Sequence, residues 1–386
     1  MSWPFRDEHE ELRVALARFV DAELRPHLDE WDDAGYFPDD VFLRLGELGY
    51  LGLLIPGEYG GSGPDLLAQA VVIEELGAAG CGGLAAGVGA HTNIATPPVL
   101  RFGTEAQKQR YLPDAVAGRR VGALAITEPD AGSDVAGIRT AARKADGGFV
   151  LQGTKLFITN GVRAGFVVVV ARTSPAERRH HGLSLFVVDA GTPGFSASRS
   201  LKKLGWRASD TAELVFDDCF VPEDALLGEE GRGFYHVMAN FQQERLAIAL
   251  TAVGEARFAL SEAARFATQR KAFGTTIGSF QAIRHLIADC ATELEAARSL
   301  TYRALAMMAE GVDAITEVTM AKLFATEVSH RIADRCLQVH GGYGYTREFP
   351  IERVFRDSRL GPIGGGTSQI MRDIIGQAIL RRAEAT

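Results

Sequence analysis

The chain has 386 residues and a formal net charge of −8 at pH 7, with 46% hydrophobic and 23% charged residues. That composition is typical of a globular protein large enough for two or three domains. The acidic balance argues against a nucleic-acid-binding surface. The first ten residues contain acids and no long apolar core, and the longest uncharged stretch, 76–90, is too short to cross a bilayer. We therefore expect a soluble, cytoplasmic protein without a signal peptide, a transit peptide or a membrane span.

The spacing of cysteines and histidines gives no sign of a disulfide framework or a metal site. The four cysteines are widely separated, without a CxxC pair, and we interpret them as reduced core residues. The nine histidines include neither an HExxH motif nor a helical pair at metal-ligand spacing. No structural or catalytic metal is therefore predicted.

The period of the apolar residues divides the chain into three regions. Helical stripes run from residue 7 to about 118, and Asp65 is the expected N-cap of the helical segment 66–76. Short β-rich runs separated by turn formers occupy residues 121–227. Helical periodicity then returns in four long segments, near 234–270, 280–310, 313–340 and 367–383. We predict a helical, a β and a second helical domain, with boundaries at 1–119, 120–229 and 230–386.

Glu244 lies where a helix should carry an apolar side chain. Segment 233–255 is predicted to be helical, with an apolar stripe formed by Phe234, Val237, Phe241, Ile248 and Ala252. Glu244 lies on that stripe, three residues after Phe241 and four before Ile248. A carboxylate in an apolar wall is costly to ionise, so Glu244 is a candidate general base with a raised pKa. The alternative is a structural glutamate that pairs with a basic residue of another helix. The adjacent Arg245 is not expected to be that partner, because neighbours at i and i+1 do not face each other on a helix.

Two segments of the β region carry groups that suit a heterocycle or a phosphate. Residues 125–134 read AITEPDAGSD, where a tight turn exposes backbone N–H groups near the hydroxyls of Thr127 and Ser133. Residues 155–161 read KLFITNG, which places Phe157 and Thr159 on the same side of a strand, as a ring and a hydroxyl beside a planar cofactor. Taken alone, each segment is better explained as an ordinary turn or a strand ending in an Asn-Gly turn.

Further motifs follow in order along the chain: QRKAFG at 269–274 with Gln281, QVHGGYG at 338–344, FRD at 355–357 and GTSQI at 366–370. With the two β-region segments, they make the chain resemble the acyl-CoA dehydrogenase family, flavoproteins that desaturate acyl thioesters, over essentially its whole length. The resemblance implies an α+β multidomain fold with an N-terminal α-helical domain, a middle β-barrel-like domain and a C-terminal four-helix bundle. It also implies FAD bound between subunits, and hence a homo-oligomer, expected to be a tetramer arranged as a dimer of dimers.

The resemblance assigns residues to the FAD site position by position. Thr127 and Thr159, in the pairs Ile126-Thr127 and Ile158-Thr159, are expected to meet the isoalloxazine ring. Phe157 stands where most relatives have Trp, which keeps an aromatic ring but loses the indole N–H. Ser133 is expected to be shared between the flavin and the CoA portion of the substrate. The other implied contacts, several of which reach the FAD of a neighbouring subunit, are Arg270, Phe273, Gln281, Gln338, Val339, His340, Gly341, Gly342, Thr367 and Gln369.

The resemblance also concerns the catalytic base. Most relatives have a Glu before the Gly-Thr of the last loop, where this chain has Gly365. A smaller branch, which includes the long-chain and isovaleryl types, carries the base on the first long helix of the bundle, and Glu244 matches that position. Glu244 is thus expected to remove the α-proton, while the β-hydrogen passes to the flavin as hydride and a trans-2-enoyl-CoA forms. The backbone N–H of Gly365 is the implied oxyanion donor, together with a flavin ribityl hydroxyl. The implied substrate contacts are Ser133, Phe241, Arg245 and Gly366.

Electrons are expected to pass to an electron-transferring flavoprotein. The same scaffold could instead support an acyl-CoA oxidase or a flavin monooxygenase, or a non-catalytic flavin-bearing nucleic-acid-binding or scaffold protein. The acidic charge and the retained base count against the non-catalytic alternative. Gly364, where relatives often carry Tyr, suggests a roomier pocket for long or branched acyl chains, although a flexible loop explains three successive glycines equally well.

Overall fold

The computed structural model describes residues 3–174 and 180–384. Its N-terminal part is built from the helices α1 (Asp7–Phe19), α2 (Leu28–Ala34), α3 (Asp40–Glu47), α4 (Leu66–Gly77), α5 (Gly82–Gly89), α6 (Thr96–Phe102) and α7 (Glu105–Val116). The Asp65 carboxylate accepts a hydrogen bond from the N–H of Ala68 at 2.9 Å, which confirms the predicted N-cap of α4. A π-helical turn, Ala90–Ala95, joins α5 to α6.

The middle part is an eight-stranded sheet. Its strands are β1 (Gly122–Ala125), β2 (Ala141–Ala145), β3 (Gly148–Thr159), β4 (Phe166–Arg172), β5 (Leu183–Asp189), β6 (Phe195–Ser200), β7 (Thr211–Pro222) and β8 (Leu226–Leu227). They follow the order β6–β7–β3–β2–β4–β5–β8, and β1 pairs in parallel with β4. Strand β4 is a continuous apolar run because both of its faces are buried, Val168 and Val170 in one core and Val167 and Val169 in another.

The C-terminal part is helical again. It comprises α8 (Gly233–Gln269), a short hairpin of β9 (Lys271–Ala272) and β10 (Thr275–Thr276), then α9 (Gln281–Ala309), α10 (Ile315–His340), α11 (Ile351–Ser358) and α12 (Ser368–Glu384). The four long predicted helices are present as α8, α9, α10 and α12. Helix α8, about 55 Å long at 1.5 Å per residue, packs on α10, α9 and α4 and ties the bundle to the N-terminal helices. The predicted order of helical, β and helical parts is confirmed.

Helix α8 contributes to two separate hydrophobic cores. Its first turns carry Val237, with Phe241 beside it, into a core shared with the sheet and α7, which we call the middle core. From Leu246 onward its apolar residues enter the core of the helical bundle. Glu244 lies between these two stretches, so the residue that interrupts the predicted stripe lies where α8 passes from one core to the other.

The structure also bears on the cysteines and on membrane-spanning helices. The four cysteines, Cys81, Cys219, Cys290 and Cys336, are free and buried, as predicted. Within residues 3–174 and 180–384, no helix is long and apolar enough to cross a membrane.

Candidate active site

Glu244 occupies a half-buried position on α8 without a salt bridge. In the described part of the chain, no hydrogen bond and no ion pair within 4.0 Å reaches its carboxylate, so the bond to another helix that a structural glutamate would make is not formed. Burial raises the pKa of Glu244 to about 7, and the positive charges of Arg245 and Lys322 oppose that rise. A carboxyl group with such a pKa exchanges protons near neutral pH, as a general base must.

The loop before α12 closes over Glu244 with two consecutive glycines in the left-handed region. Gly365 has φ +62° and Gly366 has φ +96°. A Cβ atom at position 365 would lie 2.4 Å from Cδ1 of Ile248 and 3.5 Å from Oε1 of Glu244. The α8 side chains therefore fill the space that a side chain at residue 365 would need. The carboxylate of Glu244 faces the backbone position from which most relatives are expected to project their base.

Two buried cations hold the carbonyl groups of this glycine loop. Nε of Arg245 donates to the carbonyl of Gly365 at 3.4 Å, and Nζ of Lys322 donates to the carbonyl of Gly366 at 2.6 Å. The N–H groups of Gly365 and Gly366, by contrast, have no partner among the described residues. The loop thus presents backbone donors next to a carboxylate, which is the pair of groups that removal of a proton beside a carbonyl requires.

Lys322 was not singled out by the sequence analysis. It lies on α10 four residues after Val318 and three before Ala325, both of which are fully buried, and its own side chain is 0% exposed. Burial lowers its pKa to about 8. A charged residue on an apolar helical stripe is the signal that identified Glu244, and the same signal applied to α10 would have identified Lys322.

A second group of predicted residues lies where β3 meets the segment before it. The N–H of Leu156 donates to the carbonyl of Thr127 at 2.8 Å, which places Ile126 and Thr127 beside Phe157. A β-bulge interrupts the pairing of β3 with β7 at this point, and Phe157 has φ +62°. Phe157 is 64% exposed, Ile158 is buried and Thr159 is half-buried, so burial alternates through the bulge. A strained aromatic residue left open to solvent suits contact with a ligand.

A buried ion pair supports this second group. Nζ of Lys155 donates to the carbonyl of Ile126 at 3.0 Å and to Oε1 of Glu128 at 2.8 Å. Glu128 also accepts from the N–H groups of Arg139 and Thr140. Lys155 was quoted within a motif but given no role, and the structure shows that it joins β3 to the turn that carries Thr127. Ser133 is exposed, and in the described part of the chain no hydrogen bond joins it to Thr127 or Glu244.

A third group lines a cleft of about 490 Å³ at the end of α10. The predicted residues Arg270, Val339, His340, Gly341 and Gly342 line it, together with Phe266, Ile277 and Tyr343. Gly341 has φ +59°, and a Cβ at Gly341 or Gly342 would meet nothing within 4 Å, so the backbone there is open to a ligand. In the described ranges, no hydrogen bond, ion pair or ring contact joins this cleft to Glu244 or to Thr127.

The other predicted FAD-site residues do not line the cleft. Phe273 is 96% exposed, and Gln281, Gln338 and Gln369 are also exposed. These four are not among the residues that line the cleft. The hydroxyl of Thr367 accepts from the N–H of Ile370 at 3.3 Å and so caps the start of α12.

Phe241 and Arg245 lie side by side near Glu244. Phe241 is half-buried, and the guanidinium of Arg245 lies 5.4 Å from the centre of its ring. Arg245 itself is 9% exposed and is turned towards the glycine loop. Contact of either residue with a substrate stays a prediction.

One group of possible metal ligands occurs in the described residues, far along the chain from these sites. Carboxylates of Glu8 and Asp65 and a ring nitrogen of His9 lie within 4.8 Å of one another. The guanidinium of Arg6 pairs with Glu8 at 2.6 Å and lies 3.9 Å from Asp65, so a cation already balances the acids.

Comparison with known proteins relates this geometry to one family. The models of the acyl-CoA dehydrogenase N-terminal, middle and C-terminal domains match residues 6–119, 123–219 and 231–380. The chain is 40% identical to the mitochondrial long-chain specific acyl-CoA dehydrogenase of Mus musculus, over 97% of this chain and 87% of that protein. It is 38% identical to the mitochondrial isovaleryl-CoA dehydrogenase of Solanum tuberosum, over 98% of this chain and 92% of that protein. Among solved structures, an acyl-CoA dehydrogenase from Geobacillus kaustophilus matches with a TM-score of 0.95 and 40% identity, covering 98% of this chain and 100% of that chain.

Proposed function

Because the chain belongs to the acyl-CoA dehydrogenase family of FAD-dependent oxidoreductases, we propose that Glu244 removes the α-proton of its acyl-CoA substrate and that the product is a trans-2-enoyl-CoA. The observation that carries this proposal is the position of the Glu244 carboxylate. It has no ion-pair partner among the described residues, it has a pKa of about 7, and it lies 3.5 Å from the position that a Cβ of residue 365 would take. The positive φ of Gly365 and the close approach of Cδ1 of Ile248 both disfavour a side chain at residue 365.

Two groups of the chain act in the proposed deprotonation, a carboxylate and a backbone N–H. Glu244 accepts the proton, and the free N–H of Gly365 donates to the thioester oxygen as negative charge develops there. Arg245 binds the carbonyl of Gly365, which shares its peptide group with the N–H of Gly366, and Lys322 binds the carbonyl of Gly366, so the two cations fix the backbone directly after Gly365. These interactions need no movement of the backbone during the reaction, which is the condition for effective charge stabilisation.

The described residues fit FAD at two places. The open backbone of Gly341 and Gly342 with the guanidinium of Arg270 suits a pyrophosphate, and the exposed ring of Phe157 beside Thr127 suits the isoalloxazine. FAD, when bound, supplies the hydride acceptor for the β-hydrogen. From the family resemblance, we infer that FAD is bound between subunits of a homo-oligomer, expected to be a tetramer. An electron-transferring flavoprotein is the proposed acceptor, and the cytoplasm the proposed location.

The test is anaerobic reduction of the flavin by substrate in Glu244→Gln. The variant should bind FAD and acyl-CoA but reduce its flavin about 10²- to 10⁴-fold more slowly, the usual contribution of a general base. Glu255→Gln is the matched control, since Glu255 is another glutamate of α8 whose pKa burial raises, about 16 Å further along the helix. Normal flavin reduction in Glu244→Gln would refute the assignment. Rapid peroxide release from the reduced protein in air would instead support an oxidase.

The substrate class is proposed to be long or branched acyl-CoA. A Cβ at Gly364 would have ordinary contacts, 3.7 Å from the Leu360 carbonyl oxygen, so the fold does not demand glycine there. The missing side chain therefore leaves room that a substrate can use. A panel of acyl-CoA thioesters should show better turnover of long or branched chains than of butyryl-CoA, and Gly364→Tyr should reverse that order. Best turnover on butyryl-CoA in the parent protein would contradict the proposal.

A further inference from the structure

The ammonium group of Lys322 is placed in the bundle core without a carboxylate bound to it. The side chain is 0% exposed, and the described residues give its Nζ one hydrogen bond, to the carbonyl of Gly366 at 2.6 Å. A buried ammonium is costly unless charge or hydrogen bonds compensate for the loss of water. One neutral carbonyl compensates only in part, so the remaining compensation must come from charges at longer range.

The charged groups around Lys322 leave one carboxylate available for that role. Glu244 and Arg245 face it from α8, and Glu327 acts on it from its own helix. Glu327 already pairs with Arg372 of α12 at 2.9 Å. Arg245 carries the same sign as Lys322 and disfavours its charge. Glu244 is the remaining acid, and it has no ion-pair partner within 4.0 Å among the described residues.

We propose that Lys322 is a positioning residue for the dehydrogenation: its ammonium fixes the Gly365–Gly366 loop through the Gly366 carbonyl, and its charge favours the carboxylate form of Glu244. This inference rests on the proposed role of Glu244 as the base. The two effects act from one atom, because the same Nζ touches the loop and lies within electrostatic reach of the acid. A lysine that only filled space would have no reason to carry its charge into the core.

The first effect concerns the geometry of the loop. Both glycines have positive φ, and a free loop of this kind samples many conformations. The bond from Lys322 orients the peptide group after Gly366, and the bond from Arg245 orients the one after Gly365. These two bonds hold the chain on the C-terminal side of Gly365, and so restrain the residue whose N–H is proposed to bind the thioester oxygen.

The second effect concerns the charge of the base. Burial raises the pKa of Glu244, and the cations Arg245 and Lys322 lower it, so the value of about 7 is a balance. Removing the charge of Lys322 should therefore raise the pKa of Glu244, by about one unit if the effect is at the lower end of the usual range. At a pH below both values, the fraction of ionised Glu244 would fall about tenfold.

The experiment compares three substitutions of the lysine in the FAD-loaded protein. Lys322→Met removes both charge and hydrogen bond, Lys322→Gln removes the charge but can still donate to Gly366, and Lys322→Arg keeps the charge. The acid limb of kcat/KM should move to higher pH by about one unit in the Met and Gln variants and stay in place in the Arg variant. Lys203→Met is the matched control, because Lys203 is a half-buried lysine whose pKa burial also lowers to about 8, and it donates to Ser209 and Thr211 in the middle domain.

A second readout does not depend on turnover. Infrared difference spectra, each variant against the same variant carrying Glu244→Gln, isolate the absorption of the protonated carboxyl group of residue 244. That band should persist to higher pH in Lys322→Met and Lys322→Gln than in the parent protein. Should the Met variant fail to fold, the Gln variant supplies the same comparison.

The outcomes separate this inference from the proposed function. An acid limb and a carboxyl band that stay in place in both neutral variants would overturn the role of Lys322, even if activity fell. Normal flavin reduction in Glu244→Gln would overturn the proposed base, and this inference with it. A shift in the neutral variants, with none in Lys322→Arg or Lys203→Met, would establish the positioning role.

Discussion

The pH dependence of catalysis is the most direct consequence of the Glu244 environment. The proposed base, Glu244, must be ionised to accept a proton, and burial raises its pKa to about 7 from the ordinary 4.5. The value of kcat/KM should therefore rise tenfold per pH unit below 7 and reach a plateau above it. At pH 5, two units below that pKa, the rate should be about 100-fold below the plateau. With an unperturbed glutamate as the base, kcat/KM at pH 5 would be only about one quarter below its plateau value.

The assay is kcat/KM for flavin-dependent turnover between pH 5 and 9, with an artificial electron acceptor. Acyl-CoA carries a 3′-phosphate that itself titrates near pH 6, so the profile must be repeated with the corresponding acyl-pantetheine thioester, which lacks that group. An acid limb near 7 with both substrates is expected. A limb near 4.5 with the phosphate-free substrate, or an unchanged limb in Glu244→Gln, would refute the reasoning.

The same pKa has a consequence for stability that needs no substrate. Between pH 4.5 and about 7, folded Glu244 keeps a proton that the unfolded chain releases, so its contribution to the free energy of unfolding falls as pH rises. The full effect is at most about 3 kcal/mol above pH 7. Glu244→Gln should remove this slope, and urea titrations of the FAD-free protein at pH 5 and pH 8 measure it. An identical pH dependence in parent and variant would contradict the raised pKa.

Two further sets of substitutions test the local packing. The double change Glu244→Ala/Gly365→Glu should restore little flavin reduction, because residue 365 has φ +62° and its new Cβ would lie 2.4 Å from Cδ1 of Ile248. Adding Ile248→Ala removes the close contact and should increase the reduction rate, and full activity without it would contradict the steric argument. Lys155→Met should lower the free energy of unfolding, measured with urea, by about 3–5 kcal/mol and should reduce FAD retention, because it leaves Glu128 buried without its ion-pair partner. Adding Glu128→Gln to this variant should recover part of the lost stability.

The sequence alone determined the order of the elements and indicated the candidate base. The spacing of apolar residues changes from a period of 3.6 to a period of 2 and back again along the chain. This spacing indicates which face of each helix or strand is buried, and it is a local property of the sequence. Glu244 was visible for the same reason, as a charge on an apolar stripe, and Gly365 as a vacated position in a resemblance that covers the whole chain. Lys322 carried the same signal on α10 and was overlooked because no motif drew attention to it.

Only the tertiary structure decided what surrounds these residues. The sequence separates Glu244 from Lys322 by 78 positions and from Gly365 by 121, and nothing local indicates that α8, α10 and the glycine loop meet. That meeting determines whether Glu244 has an ion-pair partner, and so whether its pKa is raised or lowered. It also shows Ile248 in the space of a side chain at residue 365. Burial and charge act through distance in space, so the stripe could indicate a buried acid, while its proton affinity depended on which groups the fold brought to it.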